Sequence, residues 1–372
     1  MKITIERAVL LKALGHVQSV VERRNTIPIL SNVRLQAEDG QLSLTATDLD
    51  LAVVSGVACD VQQKGGTTAP AHTLYDIVRK LPDGAQIELV HGREDGRLAL
   101  RSGRSDFALA CLPVDDFPVM AEGNLPTKFK LAAQDLRRLI DKTRFAVSTE
   151  ETRYYLNGVH VHVVAEAGKH VLRAVATDGH RLARLETDAP KGAKDMPGVI
   201  VPRKGVTELR KLIDEIDGDV QIALSDTKIR FAAGDMVLTS KLIDGTFPDY
   251  QRVIPAGNDK TLTVDPGALA QAVDRVSTIS TDRLRSVKLA LDRDRVTVSA
   301  TSPEQGTASE EIAAEYAQAK LEIGFNARYL LDILEQVRGD KAVFRCAEAT
   351  APVVVTDNDD VAALYVLMPM RV

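Results

Sequence analysis

The sequence predicts an α+β protein of three repeated domains, each made of two similar halves of one helix plus about four strands. Three observations lead there: segments that open alike, strand ends that recur at nearly even intervals, and a length that exceeds one typical domain.

The openings repeat as strand followed by amphipathic helix. Ile3–Ile5 leads into a helical pattern over Ala8–Val21, with Val9, Leu10, Ala13, Leu14 and Val17 spaced at i, i+3 or i+4. Phe129–Leu131 leads likewise into Leu136, Leu139 and Ile140, and Leu262–Val264 into Leu269, Ala270, Val273 and Val276. Each helix is followed by strands whose second member ends in a related signature: Leu42–Asp48, Leu172–Asp178 and Val296–Ser302.

The second halves match as well. Ala69-Pro70-Ala71 precedes a helix at Leu74–Leu81, Val201-Pro202 one at Val206–Ile216, and Phe325-Asn326 one at Tyr329–Val337. Alternating strands follow, for example Gln221–Leu224, Ile229–Ala232 and Met236–Lys241, set off by turns such as Asp83-Gly84 and Asp217-Gly218. The halves close on Asp116-Phe117-Pro118, Thr246-Phe247-Pro248 and Leu367-Met368-Pro369. Polar, turn-rich stretches at Asn124–Thr127 and Pro255–Lys260 give domains at 1–126, 127–254 and 255–372. Repeats joined head to tail form rings if the rotation closes and filaments if it does not; three repeats could close alone or as a dimer, and periodicity alone leaves both open.

Composition narrows the class. Of 372 residues 45% are hydrophobic and 27% charged, with no Trp and 4% aromatics, so the cores are aliphatic. Cys59, Cys111 and Cys346 are odd in number and form no CxxC, which suits a reducing cytoplasm. Met1-Lys2-Ile3-Thr4-Ile5-Glu6-Arg7 carries charge too early for a signal peptide, and no run approaches the ~18 apolar residues of a membrane span.

Net charge is −5, yet basic residues gather on helices and their exits. They are Arg7, Lys12, Arg23 and Arg24; Arg79-Lys80; Arg137, Arg138, Lys142 and Arg144; Arg203-Lys204 and Arg210-Lys211; and Arg275, Arg283 and Arg285. Glu208, Asp214 and Glu215 share one of these elements, as on an ordinary solvated helix face. Recurrence on equivalent elements favours a basic lining that meets phosphates without reading bases. No recognition helix, zinc finger or stacking platform adds sequence specificity.

Catalysis has little support. Thr177-Asp178-Gly179-His180-Arg181 reads as a tight strand-to-strand turn, although Asp178 and His180 would serve a hydrolytic alternative. His160 and His162 alternate on one strand face and are expected to be surface histidines, since no ligand spacing completes a metal shell. Neither GxxxxGK[ST] nor GxGxxG occurs. A binding scaffold without a cofactor is expected. The terminus Val366-Leu367-Met368-Pro369-Met370-Arg371-Val372 carries two methionines, adaptable side chains suited to varied partners.

Eight motifs, in order along the whole chain, resemble the bacterial beta sliding clamps, the polymerase-III beta subunits, of an alphaproteobacterial type. They are Thr26-Ile-Pro-Ile-Leu30-Ser-Asn32, Arg153-Tyr-Tyr-Leu-Asn-Gly158, Ala176-Thr-Asp-Gly-His-Arg-Leu182, Val201-Pro-Arg-Lys-Gly205, Thr239-Ser-Lys-Leu242, Phe247-Pro-Asp-Tyr250, Gly324-Phe-Asn326 and Met368-Pro-Met-Arg371. The resemblance implies the DNA-clamp fold and a head-to-tail homodimer that rings duplex DNA.

It also implies a hydrophobic pocket for short Gln-Leu-rich motifs. Partners would be the polymerase III alpha subunit, the clamp loader, other DNA polymerases, mismatch-repair proteins and ligase. By position the pocket is Leu156, Thr177, Gly179, His180, Arg181, Leu182, Pro248, Arg252, Val253, Asn326, Tyr329, Val366, Leu367, Met368, Pro369, Met370 and Arg371. Leu182 and Val253 are expected as its floor, His180 and Arg181 as its polar rim. Arg24, Tyr154, Tyr155 and Lys204 would face DNA.

Two departures from the family stand out. Glu150 occupies a place where a polar amide is usual, and its charge would repel phosphate. Asp106 replaces a basic residue, and the acidic cluster facing it is thinned to Glu304, Glu310 and Glu311. Apolar contacts through Phe107, Leu109 and Ile279 are then expected to hold the dimer.

Overall fold

The computed structural model describes residues 1–92, 96–121, 123–166, 168–280 and 285–371. Among them the order strand, helix, three strands occurs six times, with one additional short strand at Asp60–Gln63. The helices are α1 (Arg7–Gln18), α2 (Ala71–Lys80), α3 (Ala133–Asp141), α4 (Arg203–Ile213), α5 (Pro266–Ser277) and α6 (Ala327–Leu334).

Helix boundaries follow their caps. Glu6 accepts from the Ala8 amide, Asp265 from Ala268, and Asn326 from Arg328 and Tyr329, satisfying amides that a first turn leaves open. The helices of the second halves start directly behind Pro70, Pro202 and Asn326, earlier than their apolar periodicity alone indicates; Asn326 caps α6 with its side chain, whereas Pro70 gives α2 no side-chain cap. At the other end α1 stops at Gln18, and the Val20 and Val21 amides close tighter turns on Val17 and Gln18.

Two compact units result, and the division runs through the middle of the expected second domain. One unit comprises residues 1–137, 190–197 and 204–242, the other residues 138–189, 198–203 and 243–372. Strand pairing explains the cut. In the first unit, Met236–Lys241 pairs antiparallel with Leu51–Ala58, Leu238 opposite Val53, and completes an eight-stranded sheet. A five-stranded sheet lies in the same unit, with Ser105–Leu109 at one edge. In the second unit, Arg181–Asp188 pairs antiparallel with Ala363–Leu367, Leu182 opposite Val366, within a twelve-stranded sheet.

Side chains alternate across these sheets. The strands Gln41–Thr47 and Ser286–Asp292 bury every second residue, as a sheet packed on one face requires. The cores are aliphatic, with Tyr365, Phe325 and Phe344 the largest fully buried side chains.

Gly158, at the start of the strand Gly158–Glu166, sits where backbones nearly touch. A Cβ there would meet Ile200 Cγ2 at 2.8 Å and the Val201 carbonyl carbon at 2.9 Å, on the neighbouring strand. Gly158→Ala should therefore cost about 1–3 kcal/mol in urea unfolding, whereas Gly257→Ala, with open space around it, should cost far less. Equal stabilities for the two variants would contradict the close approach.

Candidate peptide-binding site

The site is built on one hairpin of the second unit. Lys169–Thr177 and Arg181–Asp188 are joined by Asp178-Gly179-His180, the tight turn expected from sequence. The Thr177 hydroxyl donates to the Arg181 carbonyl at 2.7 Å and accepts from the Gly179 amide at 3.1 Å. Asp178 Oδ1 accepts from the His180 and Arg181 amides at 2.9 and 3.0 Å. Gly179 has φ +88°, a backbone that glycine adopts without strain. The C-terminal segment docks on this turn: the Met368 amide donates to the His180 carbonyl at 2.9 Å, and Met370 to Gly324 at 2.8 Å.

Arg181 is not a polar rim. It is only 8% exposed, and its guanidinium donates to Asp178 at 3.1 Å, to the Phe145 carbonyl at 2.6 Å and to Asp332. The cation also lies 4.4 Å over the Tyr329 ring and 5.1 Å over Phe145. Each guanidinium nitrogen donates internally, so Arg181 is a strut that fixes Tyr329. Asn326, buried as the cap of α6, orients the same residue from its backbone side. His180 is exposed and stacks on Tyr329 at 6.2 Å, and it remains as the rim.

The floor is a buried cluster of Leu156, Val175, Leu182, Ile200, Phe247, Tyr250 and Val366. Leu182 belongs to it as expected; Val253 does not, being 50% exposed. Leu367 is fully buried, while Met368 is 38% exposed and Pro369 and Met370 are half-buried. Pro248 and Arg252 are exposed beside the buried Phe247 and Tyr250, with Arg252 paired to Asp249 at 2.8 Å; Arg371 is exposed at the end. An apolar floor thus adjoins exposed Met368 and Val253, surface that a short apolar segment would cover.

Sequence reasoning missed the supports of this site. Phe145 and Asp332 hold Arg181, and Phe247 and Tyr250 are the aromatic members of the buried floor. The spacing in Phe247-Pro-Asp-Tyr250 was the available signal.

The expectation of surface histidines is corrected. His160 and His162 stack at 4.3 Å, Phe247 lies 4.8 Å from His160, and His162 Nε2 is 3.0 Å from the Tyr250 hydroxyl. Alternation placed both rings on one face correctly, but that face is covered by the segment after Thr246. Burial depresses His160 to about 4 and, with His160 and Arg173 adding repulsion, His162 to about 3. Among the described residues no group of three metal-ligating side chains forms. A Ser55–His16–Glu215 hydrogen-bond chain in the first unit resembles a nucleophilic triad, but Ser55 is 1% exposed and out of reach of a substrate.

The expected basic lining is largely consumed by internal partners. Arg7 bonds Asp83 and two carbonyls, Lys12 pairs with Glu215 at 2.9 Å, and Arg79 with Asp76 at 3.0 Å. Arg137 pairs with Asp214 and Arg144 with Asp141; Arg138 holds Asp360, and Lys142 reaches the Gln336 carbonyl. Lys211 pairs with Glu208 at 2.8 Å and Arg275 with Glu310 at 2.6 Å. Asp76, Asp141 and Glu208 pair three residues away in sequence, whereas Glu215, Asp214, Asp360 and Glu310 come from other elements and were not legible as partners in a one-dimensional count.

Of the residues expected to face DNA, Arg24 is exposed and Tyr154 is 53% exposed, with its ring edge-on to half-buried Tyr155 at 5.8 Å. Lys204 is held between Glu22, at 3.1 Å, and Asp48. Glu150 pairs with Arg153 at 2.7 Å, which offsets its repulsion of phosphate. Arg23, Lys80 and Arg285 are also exposed; Arg283 and Val372 lie outside the described residues. At the expected dimer contacts, Phe107 and Ile279 are half-buried, whereas Leu109 is already buried within its own unit and has little surface left to give. Asp106 pairs with Arg101 at 3.3 Å.

Profiles for the N-terminal, central and C-terminal domains of the DNA polymerase III beta subunit match residues 1–121, 130–249 and 251–371. The chain belongs to this family. It is 55% identical to the beta sliding clamp of Caulobacter vibrioides over 372 residues, and 40% identical to that of Escherichia coli K12 over 374, covering 100% of both chains in each case. The structure of the Bartonella birtlesii sliding clamp bound to griselimycin is 52% identical, superposes with a TM-score of 0.97, and is covered completely, as is this chain. A crystal structure of the Caulobacter crescentus clamp gives 0.98 at 55% identity, covering 100% of this chain and 99% of that one. Membership in a family of non-catalytic clamps sets the hydrolytic alternative aside.

The half-buried histidines make stability depend on pH. Unfolded histidine binds a proton near pH ~6.5, whereas both folded values are lower. Their contribution is therefore complete above about pH 6.5 and is lost as pH falls from there towards the folded values, because the unfolded chain takes up the protons first. His160→Phe keeps a stacking ring that cannot titrate, so its stability should fall less than the parent's between about pH 7 and 5 in urea unfolding. Parallel curves would remove His160 as a source.

Proposed function

We propose that this chain is a processivity clamp. Two copies close head to tail around duplex DNA without sequence preference and tether the polymerase III alpha subunit, the clamp loader, other polymerases, mismatch-repair proteins and ligase through short motifs. A cytoplasmic address at the replication fork follows from that role. Family membership and the full-length likeness to named sliding clamps support the clamp reading. Among the described residues no helix is long and apolar enough to cross a membrane.

One observation carries the tethering. An apolar floor of Leu156, Leu182 and Val366 adjoins exposed Met368 and Val253, next to a His180–Tyr329 stack held rigid from below by Arg181. Rigid apolar surface binds a short segment at low ordering cost, and thioethers re-pack around different side chains. Relatives from Bartonella birtlesii and Pseudomonas aeruginosa, 52% and 43% identical, have been solved bound to griselimycin, so ligand binding is a property of clamps this similar.

DNA contact in this reading is loose and electrostatic. Arg24, exposed, contributes more than Lys204, whose charge is shared with Glu22 and Asp48. Phe107 and Ile279 form the apolar part of the dimer contact.

Encirclement has a topological signature. The loaded protein should stay on nicked circular DNA through a high-salt wash and leave once the circle is cut. Ile279→Asp, which forfeits on the order of 1.5–3 kcal/mol of apolar burial per contact, should give monomers in sedimentation and no retention. Equal retention on linear and circular DNA would sink the clamp reading.

Tethering is tested separately at the C-terminus. Met370→Ala should weaken a fluorescent Gln-Leu-Ser-Leu-Phe peptide about tenfold or more, as loss of a buried contact at the centre of an interface does, while leaving melting and circular-DNA retention unchanged. Parent-like peptide affinity in that variant would place the pocket elsewhere.

A further inference from the structure

In the proposed peptide site the segment after Thr246 forms one side, and little holds it there. Pro248, Asp249, Gln251, Arg252 and Val253 are exposed; only Phe247 and Tyr250 are buried. Backbone hydrogen bonds anchor its start, through the Ile243 amide on the Ile200 carbonyl. Beyond that, those of Arg252 and Ile254 close on Asp249 and Gln251 within the segment itself. Its attachment to the sheet therefore rests mainly on two buried aromatic side chains, with partly buried Ile243 and Ile254 packed against the same cluster.

Both side chains land on the histidine pair. The Phe247 ring is parallel to His160 within 10°, His160 is parallel to His162 within 17°, and the His162 ring meets Tyr250 edge-on at 5.6 Å. Phe247 and Tyr250 close the cycle at 6.5 Å. The hydrogen bond between His162 Nε2 and the Tyr250 hydroxyl, 3.0 Å, is a polar tie between sheet and segment. His160 is fixed in turn, its Nδ1–H donating to the Val199 carbonyl at 3.2 Å. His162 Nδ1 is buried without a partner, a cost that the fold accepts in order to aim Nε2 at Tyr250.

We propose that His160 and His162 are positioning residues for the groove: they touch no peptide, but through Phe247 and Tyr250 they set where Pro248, Arg252 and Val253 stand. The inference rests on the groove being a peptide site. Four interlocked rings make a rigid support, whereas a surface segment tied only by its own turns would sample many positions and bind more weakly.

The test measures binding of the same fluorescent Gln-Leu-Ser-Leu-Phe peptide to the full chain. His162→Leu removes the ring and the hydrogen bond and should weaken binding about tenfold, the effect of roughly one hydrogen bond and its packing. His162→Gln offers an amide nitrogen to Tyr250 and should recover most of that loss. Val253→Ala should weaken the parent but add nothing in the His162→Leu background, since a displaced Val253 has no contact left to lose. Independent destabilisation would make the two losses add.

Parent-like affinity in His162→Leu, or strictly additive losses, overturns the proposal. If His162→Leu does not fold, Tyr250→Phe, which deletes one hydroxyl, carries the same comparison: weaker binding that is non-additive with Val253→Ala supports the role, and unchanged binding overturns it. A parent that fails to bind the peptide defeats the groove reading itself and this inference with it; a parent that binds but ignores His162 defeats this inference alone.

Discussion

The structure depends on strands of different repeats pairing edge to edge. An unpaired strand edge exposes amides and carbonyls that must find partners, and here each repeat offers its edge to another. In the first unit Leu51–Ser55 receives Met236–Ser240, and in the second Arg181–Leu185 receives Ala363–Leu367. The second pairing brings the last residues of the chain beside the Thr177–Arg181 turn. Met368 then donates to His180, and Leu182 and Val366 meet in one floor, although they are far apart in sequence. The candidate site is a consequence of sheet continuity. No local motif contains it.

Side-chain charge secures what the backbone joins. Within the second unit Arg138 holds Asp360, Lys142 reaches the Gln336 carbonyl, and Arg181 spans Asp178, Asp332 and Phe145. Partly buried pairs of this kind are costly to break singly, because the remaining charge is stranded away from water. Cations used as fasteners are not available to phosphate. That is why the basic count on these helices overstates the charge left free on their surface, and why exposed Arg24 differs from its paired neighbours.

How much of this was legible in the sequence depended on range. Helices and strands were, because periodicity and turn chemistry are local: Leu10, Ala13, Leu14 and Val17 mark the buried face of α1. The Asp178-Gly179-His180 turn was legible for the same reason. Arg181 was not, since its burial is decided by Asp332, 151 positions away. His160 and His162 were half legible: alternation set their shared face, but what covers it comes from Phe247 and Tyr250 in a later segment. The pocket list came from motif resemblance. Contacts then separate it into floor (Leu156, Leu182, Val366), strut (Arg181, Asn326) and exposed rim (His180, Met368, Val253).

The repeat also explains what distinguishes the candidate site from its counterpart in the first unit. There the Thr47 hydroxyl donates to Leu51, Asp48 Oδ1 accepts from the Asp50 and Leu51 amides, and Lys241 donates to the Asp50 carbonyl at 2.8 Å. These bonds repeat those of Thr177, Asp178 and Met368 one for one. Both turns place their third residue at positive φ, +80° for Leu49 and +88° for Gly179. Leucine in that conformation is strained, and 42% of it faces solvent. Glycine removes the strain and also the side chain, which lets the Arg153 guanidinium stand 2.5 Å from where a Cβ would be. The residues that follow diverge too: Asp50 and Leu51 in one turn, His180 and Arg181 in the other, of which only Arg181 can bind a distant carboxylate and stack on an aromatic ring. Lys204 meanwhile lies on Asp48 in the first unit, whereas Asp178 is paired within its own turn by Arg181. One backbone scaffold therefore serves twice, and the chemistry of three turn residues decides which copy carries an arginine-held aromatic stack beside the turn.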